Sequence, residues 1–207
     1  LEGEGHLMSR DGGGFPEMPL ILDLGVVEGG YGWVFPKGDH LSFGIAGDRD
    51  REDRPKEAFG RLASRHLEGV RFETSLHGGH LIPVYEGEGT VMVSRGPVLA
   101  VGDAAGLVDP FLGEGIYYAV RSGQMAADAV LDDVKRGGRR GLGNAALIYR
   151  RRILGELVPE FEAAARIARI AYDRPHTAFL IFRDHPELAR EYLRILTGEV
   201  SYPAFWK

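Results

Sequence analysis

The chain has 207 residues, 44% of them hydrophobic and 27% charged, with a net charge of −5 and no cysteine. This is ordinary globular usage in a chain long enough to bury a real core without staples, long for one domain and short for two. The missing thiols exclude disulfides, thiolate zinc sites, iron–sulfur ligation and cysteine nucleophiles, and the acidic balance speaks against nucleic acid as a partner.

The first nineteen residues, with Gly12-Gly13-Gly14, carry little pattern and are expected to be loop or frayed terminus. They lack a basic and an apolar leader region, so no secretory signal is expected. A start without Met is what a processed or truncated chain would show. No apolar run approaches the roughly 20 residues that span a bilayer, so a cytoplasmic protein is expected.

Leu20 to Leu24 reads as a strand. Tyr31 to Pro36 and His40 to Ile45 read as a hairpin around Lys37-Gly38-Asp39. Period two puts Tyr31, Trp33 and Phe35 on one face, with Leu41, Phe43 and Ile45 as a second apolar row. Asp53 as N-cap, Pro55 in the first turn and Gly69 beyond the end predict a helix over 54–68. Short strands are expected at 81–85 and 91–93. The continuous apolar run Pro97 to Val101 suits a strand buried on both faces, as in a parallel sheet. Ile116, Val120, Gly123, Ala127, Val130 and Val134 recur at helical spacing. Residues 144–172 read as helix interrupted near Pro159, and 186–196 as a helix stopped by Gly198.

Charge is unevenly placed. Residues 1–120 hold 10 Lys and Arg against 19 Asp and Glu, whereas residues 121–207 hold 15 against 11. The basic side chains include Arg136, Arg139, Arg140 and Arg150 to Arg152. They read first as a solvated helical face and second as a patch that approaches anionic lipid headgroups.

Two apparent motifs fall on context. Gly141-Leu142-Gly143-Asn144-Ala145-Ala146 spells G-x-G-x-x-A but follows no strand. His77-Gly78-Gly79-His80 places two imidazoles on a glycine turn without a third ligand, so no metal is expected. The informative stretch is Gly102-Asp103-Ala104-Ala105-Gly106, then Pro110 and Gly113-Glu114-Gly115-Ile116. A strand ending at Gly102 would put Asp103 at its carboxyl end, where ligands of open α/β sheets collect. Small residues let backbone approach a ligand. An acceptor-only carboxylate suits ligand hydroxyls better than phosphate. Gly113-x-Gly115 opens a helix whose first N–H groups can hold an anion or a polarised carbonyl.

These residues resemble the second FAD motif of para-hydroxybenzoate-hydroxylase-type flavoproteins. Tyr31-x-Trp33-x-Phe35-Pro36-Lys37-Gly38-Asp39 narrows the resemblance to the geranylgeranyl reductase family, over about Glu17 to Ala129 and more weakly to Tyr202. The family pattern continues as G-x-G, where this chain has Gly44-Ile45-Ala46-Gly47, with Ala46 in the second glycine place; a slightly altered pocket is expected. Family members also resemble one another in a strand–G-x-G-x-x-G–helix that holds the FAD pyrophosphate, and this chain contains none, so it looks like the second half of such an enzyme.

The resemblance implies a mixed α/β (α+β) fold: an antiparallel-sheet substrate region over 1–96, the strand–loop–helix of an incomplete FAD-binding domain over 97–135, and C-terminal helices over 136–207. It implies FAD as cofactor, a prenyl-lipid substrate, peripheral membrane contact, and NADPH or a ferredoxin-type protein as electron donor. The expected activity is reduction of isoprenoid (geranylgeranyl) double bonds in lipid or chlorophyll-type chains. Gly102, Asp103, Ala104, Ala105, Gly106, Pro110, Gly113, Gly115 and Ile116 would bind the flavin, Asp103 through its ribityl hydroxyls. Tyr31, Trp33, Phe35, Pro36 and Gly44 would meet the substrate, although packing of the aromatic row against helix 54–68 is an equal reading. No proton donor is identified; Tyr31, His80 and Glu114 are candidates by position alone. Alternatives are another flavoprotein of the superfamily, of electron-transfer-flavoprotein-dehydrogenase or monooxygenase type, and a truncated non-catalytic lipid-binding module.

Overall fold

The computed structural model describes residues 2–7, 18–38, 40–48, 50–51, 54–67, 72–96, 98–136 and 143–206. The N-cap Asp53, the stop Gly69, the turn residue Asp39, and Arg139 and Arg140 lie outside these. Helices and antiparallel sheets make a mixed α/β fold. The chain divides into two compact units, Leu1–Leu81 with Ile170–Phe179, and Ile82–Arg169 with Leu180–Lys207.

In the first unit, alternating small and apolar residues drive a five-stranded antiparallel sheet of order β2-β3-β4-β1-β5: β1 Glu2–Leu7, β2 Ile21–Asp23, β3 Gly30–Pro36, β4 His40–Gly47 and β5 Phe72–Gly78. The expected hairpin is β3 with β4, paired from Gly30 opposite Gly47 to Pro36 opposite Leu41. The N-terminal segment corrects the expectation of loop or frayed end: Glu2–Leu7 forms a central strand between β4 and β5. Its alternation is Glu, Gly, Glu, Gly, and the buried positions are Gly3 and Gly5. A strand whose inward residues are glycines carries no hydrophobic period to read.

Helix α1, Pro55–His66, covers one face of this sheet. Val34, Leu41, Phe43 and Ile45 are buried with Ala58 and Leu62 of α1, and Phe43 stacks on Phe59 at 5.2 Å. Strand β2 is tied to α1 by Asp23, whose Oδ2 lies 2.7 Å from both Arg65 Nη1 and His66 Nε2. Burial pushes the Asp23 carboxyl up, but His66, the Gly25 N–H and Arg65 outweigh it and hold it below the usual value.

In the second unit, α2 Ile116–Lys135 and the long α3 Gly143–Asp173 close on a core of Tyr85, Leu107, Tyr118, Met125, Ala129, Tyr149, Ile153, Leu157 and Phe161. The expected break at Pro159 does not occur. Proline removes one bond, to the carbonyl of Gly155, but the buried flanking residues Leu157, Val158 and Phe161 hold the helix continuous. α5 Pro186–Leu196 ends as expected at Gly198, which takes φ +75°. α4 Pro175–Asp184 and the short α6 Tyr202–Phe205 were not expected.

Three strand expectations are corrected. Residues 81–85 and 91–93 are not strands; they carry isolated bonds instead, Tyr85 N–H to Val108 O at 2.9 Å and Met92 N–H to Ala105 O at 3.2 Å. Of the run expected over Pro97 to Val101, Pro97 lies outside the described residues, and Val98 to Val101 is not a doubly buried parallel strand. Only Val98–Leu99 pair, as β7, antiparallel to β6 Ser94–Arg95, and Val98 is 61% exposed. Among the described residues no parallel neighbour covers it.

The apolar stripe that betrays α2 in the sequence is also not the one it buries. Tyr118, Ser122, Met125, Ala126, Ala129 and Asp133 face inward, whereas Ile116, Val120, Leu131 and Val134 are exposed, Ile116 by 79%.

Candidate functional site

The loop between β7 and α2 is shaped by glycines. Gly102 takes φ +53° under α2, where an added Cβ would lie 2.8 Å from the Ala119 Cβ, and Gly106 takes φ +69°. A side chain at either is strained. A 3-10 turn, Gly102–Ala105, follows; Gly106 N–H donates to Asp103 O at 3.0 Å and Leu107 N–H to Gly102 O at 3.1 Å. The Gly102 N–H donates to the buried Ser122 Oγ at 2.9 Å. Tyr149 Oη donates to Ala100 O at 2.9 Å, and burial pushes its phenol up to about 12.

The second half of the loop is braced by Asp109. Its Oδ1 accepts from the N–H groups of Phe111 at 2.6 Å and Leu112 at 3.0 Å, and its Oδ2 accepts from Tyr202 Oη at 2.6 Å. Burial raises the Asp109 carboxyl above its usual value, partly offset by these three donors. Burial and the neighbouring Asp109 likewise raise the Tyr202 phenol. Sequence reading missed this pair, because the partners stand 93 positions apart.

Asp103, Gly113, Gly115, Ile116, Ile82, Val108 and Ala119 line one cavity of about 280 Å³. Asp103 is exposed, and its Oδ1 stands 3.2 Å from where a Cβ on Gly115 would be. Gly113 donates to Asp109 O at 3.0 Å, and Tyr117 N–H to Glu114 Oε1 at 2.9 Å. Among the described hydrogen bonds none is donated by the N–H groups of Glu114, Gly115 or Ile116. Four expected flavin residues (Asp103, Gly113, Gly115 and Ile116) thus share a cavity. Gly102 packs beneath it against α2, Ala105 is in the core, Ala104 is exposed, Gly106 forms the left-handed turn and Pro110 is half-buried.

The second candidate region is the sheet face of the first unit. Register places Tyr31 opposite Ala46, Trp33 opposite Gly44 and Phe35 opposite Ser42, so these six positions share one face. Val34, opposite Phe43, belongs to the other face, which packs on α1. The aromatic row therefore does not pack against helix 54–68; of the two readings of this row, that one is overturned. The rings form a continuous series, Tyr31 to Trp33 at 5.9 Å and Trp33 to Phe35 at 6.4 Å, beside Ser42, Gly44 and Ala46 of β4. Trp33 Nε1 donates to Ser42 Oγ at 3.3 Å. Pro36 pairs with Leu41 on the face toward α1 and ends the strand.

Of the proton-donor candidates, Tyr31 stacks on Tyr172, Glu114 Oε1 accepts from the Tyr117 N–H and His80 is exposed. Among the described residues no His, Asp and Glu cluster could hold a metal. In the basic region Arg150 pairs with Glu88 and Arg152 with Asp132. No described helix is long and apolar enough to cross a membrane.

No protein-family model matches the chain. It is 33% identical over 132 residues to an uncharacterised protein of Methanosarcina barkeri, across 63% of this chain and 32% of that protein. It is 37% identical over 121 residues to the digeranylgeranylglycerophospholipid reductase of Methanothrix thermoacetophila, across 57% and 30%. It is 40% identical over 114 residues to the chloroplastic geranylgeranyl diphosphate reductase of Oryza sativa, across 53% and 23%. The chain thus matches about a third or less of these relatives' length. Among solved structures it is similar to a geranylgeranyl bacteriochlorophyll reductase-like protein of Thermoplasma acidophilum, with a TM-score of 0.58 and 20% identity over 81% of this chain and 42% of that one. That likeness shows a shared fold.

Proposed function

We propose that these residues form part of an FAD-dependent oxidoreductase that reduces isoprenoid double bonds of the geranylgeranyl type, in lipid or chlorophyll-type chains. One observation carries the reading. In a chain similar to geranylgeranyl reductases, the loop over 102–116 folds Asp103, Gly113, Gly115 and Ile116 around one cavity. The residues fit a flavin: Gly113, Gly115 and Ala119 keep part of the lining small beside Ile82, Val108 and Ile116, and among the described hydrogen bonds none is donated by the N–H groups of 114–116.

Bound FAD would supply the hydride chemistry. The protein's part is to hold and tune. Asp103 would accept bonds from the ribityl hydroxyls. The N–H groups at the start of α2, with its dipole, would stabilise negative charge at the edge of a bound flavin. The aromatic face of β3 would provide an apolar wall for the prenyl tail, with Gly44 opposite Trp33 on the same face.

Ile116, Val120, Leu131 and Val134 of α2, with Val98 and Val101, are apolar and exposed among the described residues. They fit the packing face for the dinucleotide-binding half that would hold the FAD pyrophosphate. Arg136 and Arg151, both exposed, fit peripheral contact with anionic lipid.

The test is Asp103→Ala in the full-length holoenzyme. Loss of a charge-assisted bond should weaken flavin retention by about 1.5–3 kcal/mol. The fold should survive, because the side chain is exposed. Equilibrium dialysis against free FAD measures the change; retention equal to the parent's would remove Asp103 from the flavin site.

A further inference from the structure

Asp109 shapes the loop that leads into α2. Its N–H donates to Glu114 O at 2.9 Å, and its carbonyl accepts from the Gly113 N–H at 3.0 Å. Its Oδ1 takes the Phe111 and Leu112 N–H groups. All of these bonds are internal to the loop. They close a turn, and the turn sets where Glu114, Gly115 and Ile116 begin the helix.

Two further links tie this turn to elements beyond residue 180. The first is polar: Asp109 Oδ2 accepts from Tyr202 Oη at 2.6 Å. The second is apolar. The buried Phe111 ring lies 5.5 Å from that of Tyr192 on α5, and the Tyr192 ring lies 6.5 Å from that of Phe205 on α6. Tyr202 is held at its other end as well, where its N–H donates to Glu160 Oε2 of α3 at 2.9 Å. The residue is 3% exposed. It is thus a strut that runs from α3 to the carboxylate at the centre of the turn. Neither Tyr202 nor Asp109 lines the cavity beside Asp103, which Gly113, Gly115 and Ile116 do line. A buried hydroxyl set behind the turn can hold the site without touching what the site holds.

Resting on the flavin reading above, we propose that Tyr202 is a positioning residue of the flavin site, which through Asp109 sets the direction of the N–H groups at the start of α2. Such groups stabilise charge on a ligand only when they are aimed at it in advance. Tyr202→Phe keeps the ring and deletes one hydroxyl. Asp109 Oδ2 is then buried without this donor, and the carboxylate gains by swinging toward water. The turn it closes should open more often.

The experiment compares the parent and Tyr202→Phe as full-length proteins, with two readouts. The first is amide hydrogen exchange in the FAD-free protein. Exchange at Phe111, Leu112 and Gly113 should quicken about tenfold, while Ile153 and Leu157 in the core of α3 keep their protection. The second is the midpoint potential of the bound flavin, measured against a reference dye. The variant should lose about tenfold in its preference for reduced over oxidised flavin, a fall of about 30 mV for a two-electron couple. A merely structural hydroxyl would leave that potential where it is. Phe205→Leu loosens the half-buried ring contact of α6 and leaves the Tyr202 hydroxyl in place. It should move both readouts in the same direction, and it serves if Tyr202→Phe does not fold.

Unchanged exchange at 111–113 in a folded variant that still binds FAD overturns the inference and leaves the flavin reading standing. Exchange that quickens equally in the loop and in α3 also overturns it, since Tyr202 would then serve stability alone. So does a quickened loop with an unchanged potential. If the full-length parent binds no FAD, the flavin reading itself fails, and the inference with it.

Discussion

Asp109→Ala should destabilise the protein by about 3 kcal/mol or more, several times the cost of an ordinary surface substitution. The carboxylate is 2% exposed and satisfies three donors: the Phe111 and Leu112 N–H groups and the Tyr202 hydroxyl. Alanine leaves all three buried without an acceptor. The loop from 109 to 115 would lose its brace, and flavin affinity in the holoenzyme should fall with it. Asp109→Asn behaves differently. Its Oδ1 still accepts from both N–H groups, and its amide donates to the Tyr202 oxygen.

The pair also predicts a pH dependence. Burial raises the Asp109 carboxyl above its unfolded value. A group raised in the folded state gives its full stabilising contribution below the unfolded pKa, about 3.9 for aspartate. That contribution is lost as pH rises through the folded value. The parent should therefore lose stability relative to Asp109→Asn as pH climbs from about 4 toward neutrality. Urea unfolding of both proteins at several pH values measures this; parallel profiles would show that Asp109 does not titrate as its burial requires.

Trp33→Ala separates substrate contact from core packing. Trp33 is half-buried, lies on the sheet face away from α1 and is absent from the buried cluster beneath that helix. Its loss removes two ring contacts and one bond to Ser42, so stability should fall by about 1 kcal/mol. A fully buried tryptophan would cost roughly 3–5 kcal/mol. On the proposed prenyl-wall reading, the Michaelis constant of the full-length protein for a long prenyl substrate should rise roughly 10- to 100-fold, in proportion to lost apolar contact, and less for a short one. A collapsed melting temperature with no dependence on chain length would return Trp33 to the core.

The hairpin and the loop over 102–116 were legible in the sequence because each carries local chemistry: period-two aromatics in one, a fixed spacing of small residues and one carboxylate in the other. What escaped reading depends on residues far apart or on patterns with two meanings. β1 hid because Gly3 and Gly5 point inward and glycine has no hydropathy to count. The α2 stripe at Ile116, Val120 and Val134 correctly announced a helix but marked its exposed side, since small and polar residues such as Ala129 and Ser122 fill the buried one. The Val98 run has the composition of a central strand, but among the described residues its strand neighbour is the two-residue antiparallel β6. Asp109 drew no notice within its motif because its partner, Tyr202, sits at the far end of the chain. Tyr172 was equally silent: nothing in an alanine- and arginine-rich helix tells which aromatic will stack on a distant strand.

The central claim is that the cavity beside Asp103 holds the flavin end of FAD while its pyrophosphate end is held by residues outside the 207. Calorimetric titration with FAD tests it most directly, on this chain alone and on the same chain joined to the dinucleotide-binding half of a longer relative. The account predicts weak or undetectable binding by the chain alone, one FAD bound tightly by the joined protein, and loss of that affinity with Asp103→Ala. Tight one-to-one binding by the chain alone, or none by a folded joined protein, would contradict it.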